Sequence, residues 1–514
     1  MKTGKRTAIG YLPDERPPFG KLLLYALQQV IVMFPATVTV ALVTGFQVST
    51  TIFASGLATI CFILITGKQI PLYYGSSFSY LTAVSSLMAS QSIIDKLSPA
   101  AQEQLSQFFA GSSPVMPGEA IAYAQFGIIM SGLVSIAAGL LVRLAGRNAV
   151  EKILPPTITG PVAMIIGLTL AGNALTDAAP QALAAGATAT AANSSWVWVV
   201  SLSTLLSTVL FARYLKGFLG QLPLLLGAAV GCAVTGLLYA FGGDSLNLFR
   251  SIDSAALGSI WSAGPVAVPA FTLPKISWEA VFAIMPIAIA TIPESTAHVY
   301  QLDIYVNDLA RKKGSKKKYN IADKLHLNLI GDGVCDMISG FVGGPAGTNY
   351  GENISTMAIT KVFSVPVLFA ASILAMVMSF FTPLIQGIYG IPLAVIGGLE
   401  IYLFGAIAAQ GMAIMIQKNV DMFSSKNIAV IASIVIIGLG GQYAFGGNIP
   451  FFGVNVPCIA GAAIFGIVLN LILSIGEKSR RNAGEDDNAP MTDGAGALSE
   501  ESEGQAAPQE LREE

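Results

Sequence analysis

Apolar residues run in long blocks along this chain, and polar residues are confined to short stretches between them. A helix needs about 20 apolar residues to cross a bilayer. That rule reads fourteen spans: 22–44, 49–66, 69–90, 120–144, 153–173, 195–212, 219–241, 279–300, 322–342, 346–360, 363–386, 391–415, 427–442 and 455–475. Two of them are poor as plain helices, because Gly75-Ser76-Ser77 interrupts the third and Gly351-Glu352-Asn353 the tenth. Backbone freed by such breaks finds no partner in lipid, so it must face protein or a wet cavity. The pattern predicts an all-α polytopic membrane protein whose third and tenth segments are broken by short extended stretches.

The polar stretches add detail. Residues 1–20 read as a cytoplasmic arm, and 91–119 as an extracellular insertion with a short helix. Residues 174–194 read as an outer loop, and 242–278 as another, in which Val266–Thr272 forms a strand or lies on the bilayer surface. Residues 476–514 are acidic and poor in large apolar side chains, the composition of a disordered tail. The chain also echoes itself. Tyr74-Gly75-Ser76-Ser77-Phe78 matches Tyr350-Gly351-Glu352-Asn353-Ile354, and Pro155 with Gly160 matches Pro392 with Gly397. Both pairs lie seven segments apart, so the second half enters the membrane with opposite polarity. That predicts two inverted seven-helix repeats whose broken segments meet near the bilayer midplane.

Composition agrees with a membrane protein: of 514 residues, 53% are hydrophobic and 11% charged, against about 25% charged in soluble domains. With both termini inside, 25 of the 28 Lys and Arg residues fall on the cytoplasmic side, as the positive-inside rule requires. The run from Arg311 to Lys318 then reads as a topology determinant in contact with anionic lipid, without a nucleic-acid role. Cys61, Cys232, Cys335 and Cys458 lack metal-ligand spacing and read as packing residues. The first apolar run is long enough to span, so no cleavable signal peptide is expected.

Candidate chemistry sits in the apolar blocks. Glu352 lies inside a broken span, the usual pointer to a transporter binding site. Glu294 and His298 are four residues apart on one helix face, an acid and an imidazole suited to proton relay. Phe78 offers a backbone N–H or a ring face, Tyr350 and Gly351 beside Glu352 are further substrate-binding candidates, and Ser77 and Asn353 support them. Glu400 either faces the substrate path or pairs with another helix, Asp332 and Asp336 cap or pair internally, and His326 is solvated near the mouth. Carboxylates accept from ligand N–H groups and free backbone N–H groups donate to ligand carbonyls, a set that fits a small planar ring such as uracil or xanthine. This complementarity does not by itself exclude a small amide or an anion. An intramembrane enzyme is disfavoured, because no nucleophile stands beside a base and no ligands have metal spacing.

Longer motifs carry a resemblance. They are Leu27-Gln28-Gln29-Val30 with Met33-Phe34 and Ala36-Thr37-Val38, Gly75-Ser76-Ser77-Phe78, Glu294 with His298, and Thr348 to Ile354 continuing through Met357-Ala358-Ile359-Thr360-Lys361. Over about residues 20–475 the chain resembles the nucleobase–ascorbate transporter family, in its bacterial uracil permease branch. The resemblance implies proton-coupled uptake of uracil across the plasma membrane by a fourteen-helix protein, often a homodimer, without a cofactor. It implies a core domain of residues 21–145 and 279–388 working against a gate domain of 146–278 and 389–475. Glu294 and Glu352 would bind the pyrimidine, the backbone at Phe78 and Gly351 would meet its carbonyls, and His298 would assist proton coupling. A xanthine or other purine permease of the same family is the nearest alternative, and an anion transporter of the same seven-plus-seven architecture a further one. Xanthine carriers usually have Gln where this chain has Glu352, which favours a pyrimidine. Glu400 stands where uracil permeases have a small or hydroxyl residue, and Gln28-Gln29 stands where the family commonly has Gln-His.

Overall fold

The computed structural model describes residues 10–109, 113–146, 154–180, 194–246, 248, 264–452 and 454–483, and helices make up most of it. The order begins with α1 (Phe19–Thr44), α2 (Val48–Ile65), strand β1 (Tyr74–Ser76), a 3-10 turn (Phe78–Tyr80) leading into α3 (Leu81–Met88), α4 (Pro99–Phe109) and α5 (Gly118–Ala145). Then come α6 (Pro156–Thr169), α7 (Ala171–Ala178), α8 (Trp196–Tyr214), α9 (Pro223–Gly242), α10 (Trp278–Ile284), α11 (Ala288–Lys312) and α12 (Leu325–Val342). Strand β2 (Gly347–Asn349) precedes α13 (Gly351–Thr360), α14 (Val365–Met378), α15 (Thr382–Tyr389), α16 (Leu393–Gln417) and α17 (Ser425–Phe445). A hairpin of β3 (Asn448–Phe451) and β4 (Val454–Pro457) leads into α18 (Cys458–Ala483). The chain divides into two units, residues 1–469 and 470–514.

Each of the fourteen stretches contains a helix. Among the described residues, ten helical spans are long and apolar enough to cross a bilayer, and α3 with its 3-10 turn and α14 are shorter apolar helices. The protein is therefore a multi-pass membrane protein. Two stretches fall short for physical reasons: α12 carries Asp332 and Asp336 in its middle, and α13 has only 10 residues. Outer faces of α9 and α17 present Leu237, Phe241, Ile436 and Tyr443 outward, an apolar surface that lipid covers.

Several expectations change. The outer loop read at 174–194 is helical up to Ala178, because Leu170 keeps right-handed backbone and carries α6 on into α7; residues 181–193 lie outside the described residues. The eighth stretch does not stop at 300, since α11 runs to Lys312 on polar residues. The eleventh divides into α14 and α15 around Ser379–Phe381. Val266–Thr272 forms no full strand: Val266 makes a single antiparallel bridge to Phe381, and Phe271 packs edge-on against Phe53 at 5.0 Å. The 91–119 insertion holds a one-turn helix, Gln91–Ile94, besides α4. In the tail the helix runs on from 476 to Ala483, and residues 484–514 lie outside the described residues.

Two helix pairs set the frame. In one, Gly132 of α5 and Gly333 of α12 face each other so closely that a Cβ on either would meet the other's carbonyl. In the other, Gly160 of α6 and Gly411 of α16 do the same. Small residues let membrane helices approach backbone to backbone. The largest core joins α1, α2, the segment before β1 and α11 to α15, and smaller clusters lie where α16 meets α1, α3 and α7 and where it meets α8 and α9.

The segment before α1 is tied down by charge. Lys313 reaches Glu15 at 2.5 Å and Lys317 reaches Asp14 at 2.8 Å, so part of the basic run is neutralised within the protein. Lys317, and then the Tyr319 hydroxyl, hold the Asp14 carboxyl below its usual 3.8. A carboxyl depressed by folding stabilises above its unfolded value, and that contribution is lost as pH falls through the folded value, here below 3.8. The pair is about half exposed, so it contributes less than about 1 kcal/mol. Asp14→Asn is expected to speed tryptic cleavage after Lys317 by about 2–5-fold at neutral pH, and to leave the global melting point unchanged. Unchanged cleavage would show that the ion pair does not hold this segment.

Candidate functional site

The two broken segments meet. β1 and β2 pair antiparallel, with Tyr74 opposite Asn349, Gly75 opposite Thr348 and Ser76 opposite Gly347. Ser77 N–H to the Ala346 carbonyl and Tyr350 N–H to the Tyr73 carbonyl, both 2.9 Å, extend the ladder at its ends. A two-stranded sheet has outer edges, and at membrane depth these need partners. Hydroxyls of α2 supply them: Ser55 donates to the Tyr74 carbonyl at 2.8 Å, and Thr59 accepts from the Tyr74 N–H at 3.0 Å.

Local sequence explains the crossing. α12 ends at Gly343, whose φ of 100° suits only glycine at low cost, and Pro345 blocks continuation. Gly75 lies against the Tyr350 ring and Gly347 against the Tyr74 ring, a reciprocal fit that leaves no room for a Cβ at either position. Each strand then turns straight into a helix: Phe78–Tyr80 into α3, with the Ser77 hydroxyl accepting from Ser79 N–H, and α13 from Gly351. Helix starts leave backbone N–H groups without intrahelical partners and carry a partial positive charge.

A buried polar network anchors β2 from below. Asn328, Asp332 and Asp336 recur every four residues on α12, forming one polar face. Asp336 accepts from the Tyr74 hydroxyl, and from Gly347 N–H at 2.8 Å. Asp332 accepts from the Ser295 hydroxyl, and from the side-chain amides of Asn328 at 3.1 Å and Asn349 at 2.9 Å. Asp332 and Asp336 thus pair internally, and neither caps a helix.

The candidate ligand-binding residues surround this crossing. Glu294 is half-buried on α11, within electrostatic reach of Glu352 and Asp332. Pro293, just before it, deletes a helix donor. His298, one turn on, is buried, with its Nε2 beside Gly351 and its Nδ1 without a hydrogen-bond partner. Glu352 occupies the first turn of α13, where the helix dipole favours an acid. Its side chain is exposed. Phe78 is half-buried, its ring edge-on to Phe404 of α16 at 6.5 Å.

Tyr350 behaves differently from the sequence expectation. Its hydroxyl is engaged within the protein, 2.9 Å from the Thr37 hydroxyl and 3.0 Å from the Ser76 carbonyl. Asn353 is buried too, donating to the Gln29 side chain at 2.7 Å and tying α13 to α1. Both brace the crossing. Glu400 stands apart from this group, on the face of α16 toward α7. Sequence reasoning missed Tyr74, Ser295, Asn328 and Asn349. The four-residue spacing on α12 was the available signal for Asn328. Among the described residues, no three His, Cys, Asp or Glu side chains group to hold a metal ion.

Comparisons with known proteins agree on one class. A family model described as the permease family matches residues 20–447. The chain is 33% identical over 465 residues to a uracil permease of Bacillus caldolyticus, covering 90% of this chain and 94% of that one. It is 32% identical to a putative pyrimidine permease of Escherichia coli (strain K12), covering 90% and 91%. Among solved structures, the murine Solute Carrier 26 family member A9 anion transporter in its inward-facing state is similar at TM-score 0.60 and 11% identity, covering 93% of this chain and 74% of that one. The transmembrane domain of a cyanobacterium bicarbonate transporter is similar at TM-score 0.53 and 13% identity, covering 89% and 99%. At these identities the two structures speak for the fold alone.

Proposed function

Because the chain belongs to the nucleobase–ascorbate transporter family of permeases, we propose that it imports uracil with protons across the plasma membrane by alternating access. Fourteen segments in two inverted repeats, both termini cytoplasmic, form a core of residues 21–145 and 279–388 and a gate of 146–278 and 389–475, assembled as a homodimer. The observation that supports this reading most is the antiparallel meeting of Tyr74–Ser76 with Gly347–Asn349. It brings the starts of α3 and α13, from distant parts of the chain, to one point. Uracil offers ring N–H groups to the Glu294 and Glu352 carboxylates and carbonyl oxygens to the backbone N–H groups of Phe78 and Gly351. The Phe78 ring covers one face. Tyr350, Ser77 and Asn353 hold this geometry, and His298 couples proton movement to Glu294.

Binding drives the cycle only by the difference in affinity between its two states. In proteoliposomes, labelled uracil is expected to accumulate when the outside is acidic and to equilibrate when a protonophore is added. Accumulation that survives the protonophore would contradict proton coupling. Excess unlabelled uracil is expected to compete fully and xanthine poorly; the reverse order would assign the site to purines.

A further inference from the structure

The β3–β4 hairpin joins α17 to α18, and its base is tied to both helices. Asn448 to Phe451 pairs in register with Val454 to Pro457. Gly447 N–H donates to the Gly441 carbonyl at 3.1 Å, and Cys458 N–H donates to the Gly447 carbonyl at 2.8 Å. This base rests on α3, the helix reached through the turn at Phe78. The Ser86 hydroxyl donates to the Gly446 carbonyl at 3.2 Å. Gly446 and Gly447 have φ of 61° and 93°, left-handed backbone that glycine adopts at low cost. A Cβ on Gly447 would fall 2.6 Å from the Ser86 hydroxyl oxygen, so glycine is what lets the two segments come this close. β4 also touches α10. Between the two sides lies a small cavity, lined by Thr82, Ala83 and Ser86 from α3 and by Gly447, Pro457 and Cys458 from the hairpin and α18.

This contact is weak beside those within the core and within the gate. Gly132 against Gly333, and Gly160 against Gly411, set backbone directly on backbone. Among the described residues, the hairpin base meets α3 through one exposed hydrogen bond and small side chains. Two buried polar atoms at the contact have no hydrogen-bond partner there: Thr82 Oγ1, and Gln442 Oε1, which lies 2.9 Å from the Cβ position of Gly447. Burying an unpaired polar atom is unfavourable, and water admitted on opening would satisfy both. In the inverted-repeat reading, the connection between α8 and α9 is the hairpin's counterpart on the cytoplasmic side. There the 3-10 turn Leu219–Gln221 meets α13, the counterpart of α3.

We propose that the base of the β3–β4 hairpin is a latch on the outer side of the transport path, closed on α3 at Ser86 and Gly447 and released each time the outer side opens. Its place in a uracil cycle rests on the proposed function; the latch motion itself does not.

A Cβ on Gly447 would lie 3.8 Å from that of Ser86, inside the disulfide range of about 3.5–4.5 Å. Oxidation of Ser86→Cys/Gly447→Cys in the full chain therefore fastens the latch. In proteoliposomes the oxidised form is expected to take up uracil at least about 10-fold more slowly than the same protein reduced. Cys458 reports on the latch without substrate. A membrane-impermeant maleimide, followed by peptide mass spectrometry, is expected to label Cys458 at least about 10-fold more slowly in the oxidised form. Ser86→Ala, which removes the hydrogen bond and leaves glycine at 447, is expected to label about 2–10-fold faster than the parent. Gly447→Cys meets left-handed backbone, so Ser86→Ala decides if the double variant does not fold. Equal labelling of the oxidised and reduced forms, equal uptake by them, or a Ser86→Ala rate equal to the parent's would overturn the latch. Slowed labelling in a protein that does not move uracil would support the latch and refute the transport reading.

Discussion

Glu352→Gln lowers uracil affinity at least about 100-fold, equivalent to about 2.7 kcal/mol, while the variant expresses and melts as the parent does. The Glu352 side chain is exposed in the first turn of α13, so folding has little stake in its charge. A ligand has a large one. A ring N–H meeting a carboxylate makes a charge-assisted hydrogen bond, roughly twice as strong as a neutral one. The amide removes the charge and can turn an N–H toward the ring's own N–H. Isothermal titration of detergent-purified protein measures the loss. An affinity within a factor of about three of the parent's, a difference under about 0.7 kcal/mol, would remove Glu352 from the site.

The second large effect falls on the frame. Asp336→Ala leaves the buried Tyr74 hydroxyl and the Gly347 N–H without their shared acceptor. An orphaned buried polar group costs about 1–3 kcal/mol. Two of them, one on each strand of the crossing, take about 2–6 kcal/mol from a fold whose margin is about 5–15. The variant is expected to melt well below the parent and to lose uracil binding with it. Asp336→Asn keeps an acceptor oxygen and is expected to fall between. A thermal-shift series reads all three, and an alanine variant melting within about 1 °C of the parent would show that this network does not hold the crossing.

The sequence made the two interrupted spans legible because Gly-Ser-Ser and Gly-Glu-Asn break apolar runs, and the repeated Tyr-Gly pair marked them as related. Strand register was not legible. It depends on the reciprocal packing of Gly75 on Tyr350 and of Gly347 on Tyr74, which joins positions far apart in the chain. Glu294, His298 and Glu352 stood out as rare ionisable groups in apolar runs. Tyr350 shared that neighbourhood but not the role first expected of its side chain, because nothing in the sequence said that Thr37 and Ser76 already occupy its hydroxyl. The β3–β4 hairpin escaped notice because its strands have four residues each, too few for a period-two pattern to stand out beside an apolar helix. For Glu400, pairing with another helix was one of the two readings open, and nothing in the order of residues pointed to α7 as the neighbour.

A structure of the purified protein with uracil bound tests the central idea most directly. The ring is expected at the β1–β2 crossing, its N–H groups toward Glu294 and Glu352 and a carbonyl toward the Phe78 N–H. Uracil bound elsewhere, or both carboxyls turned away from an empty crossing, would contradict it.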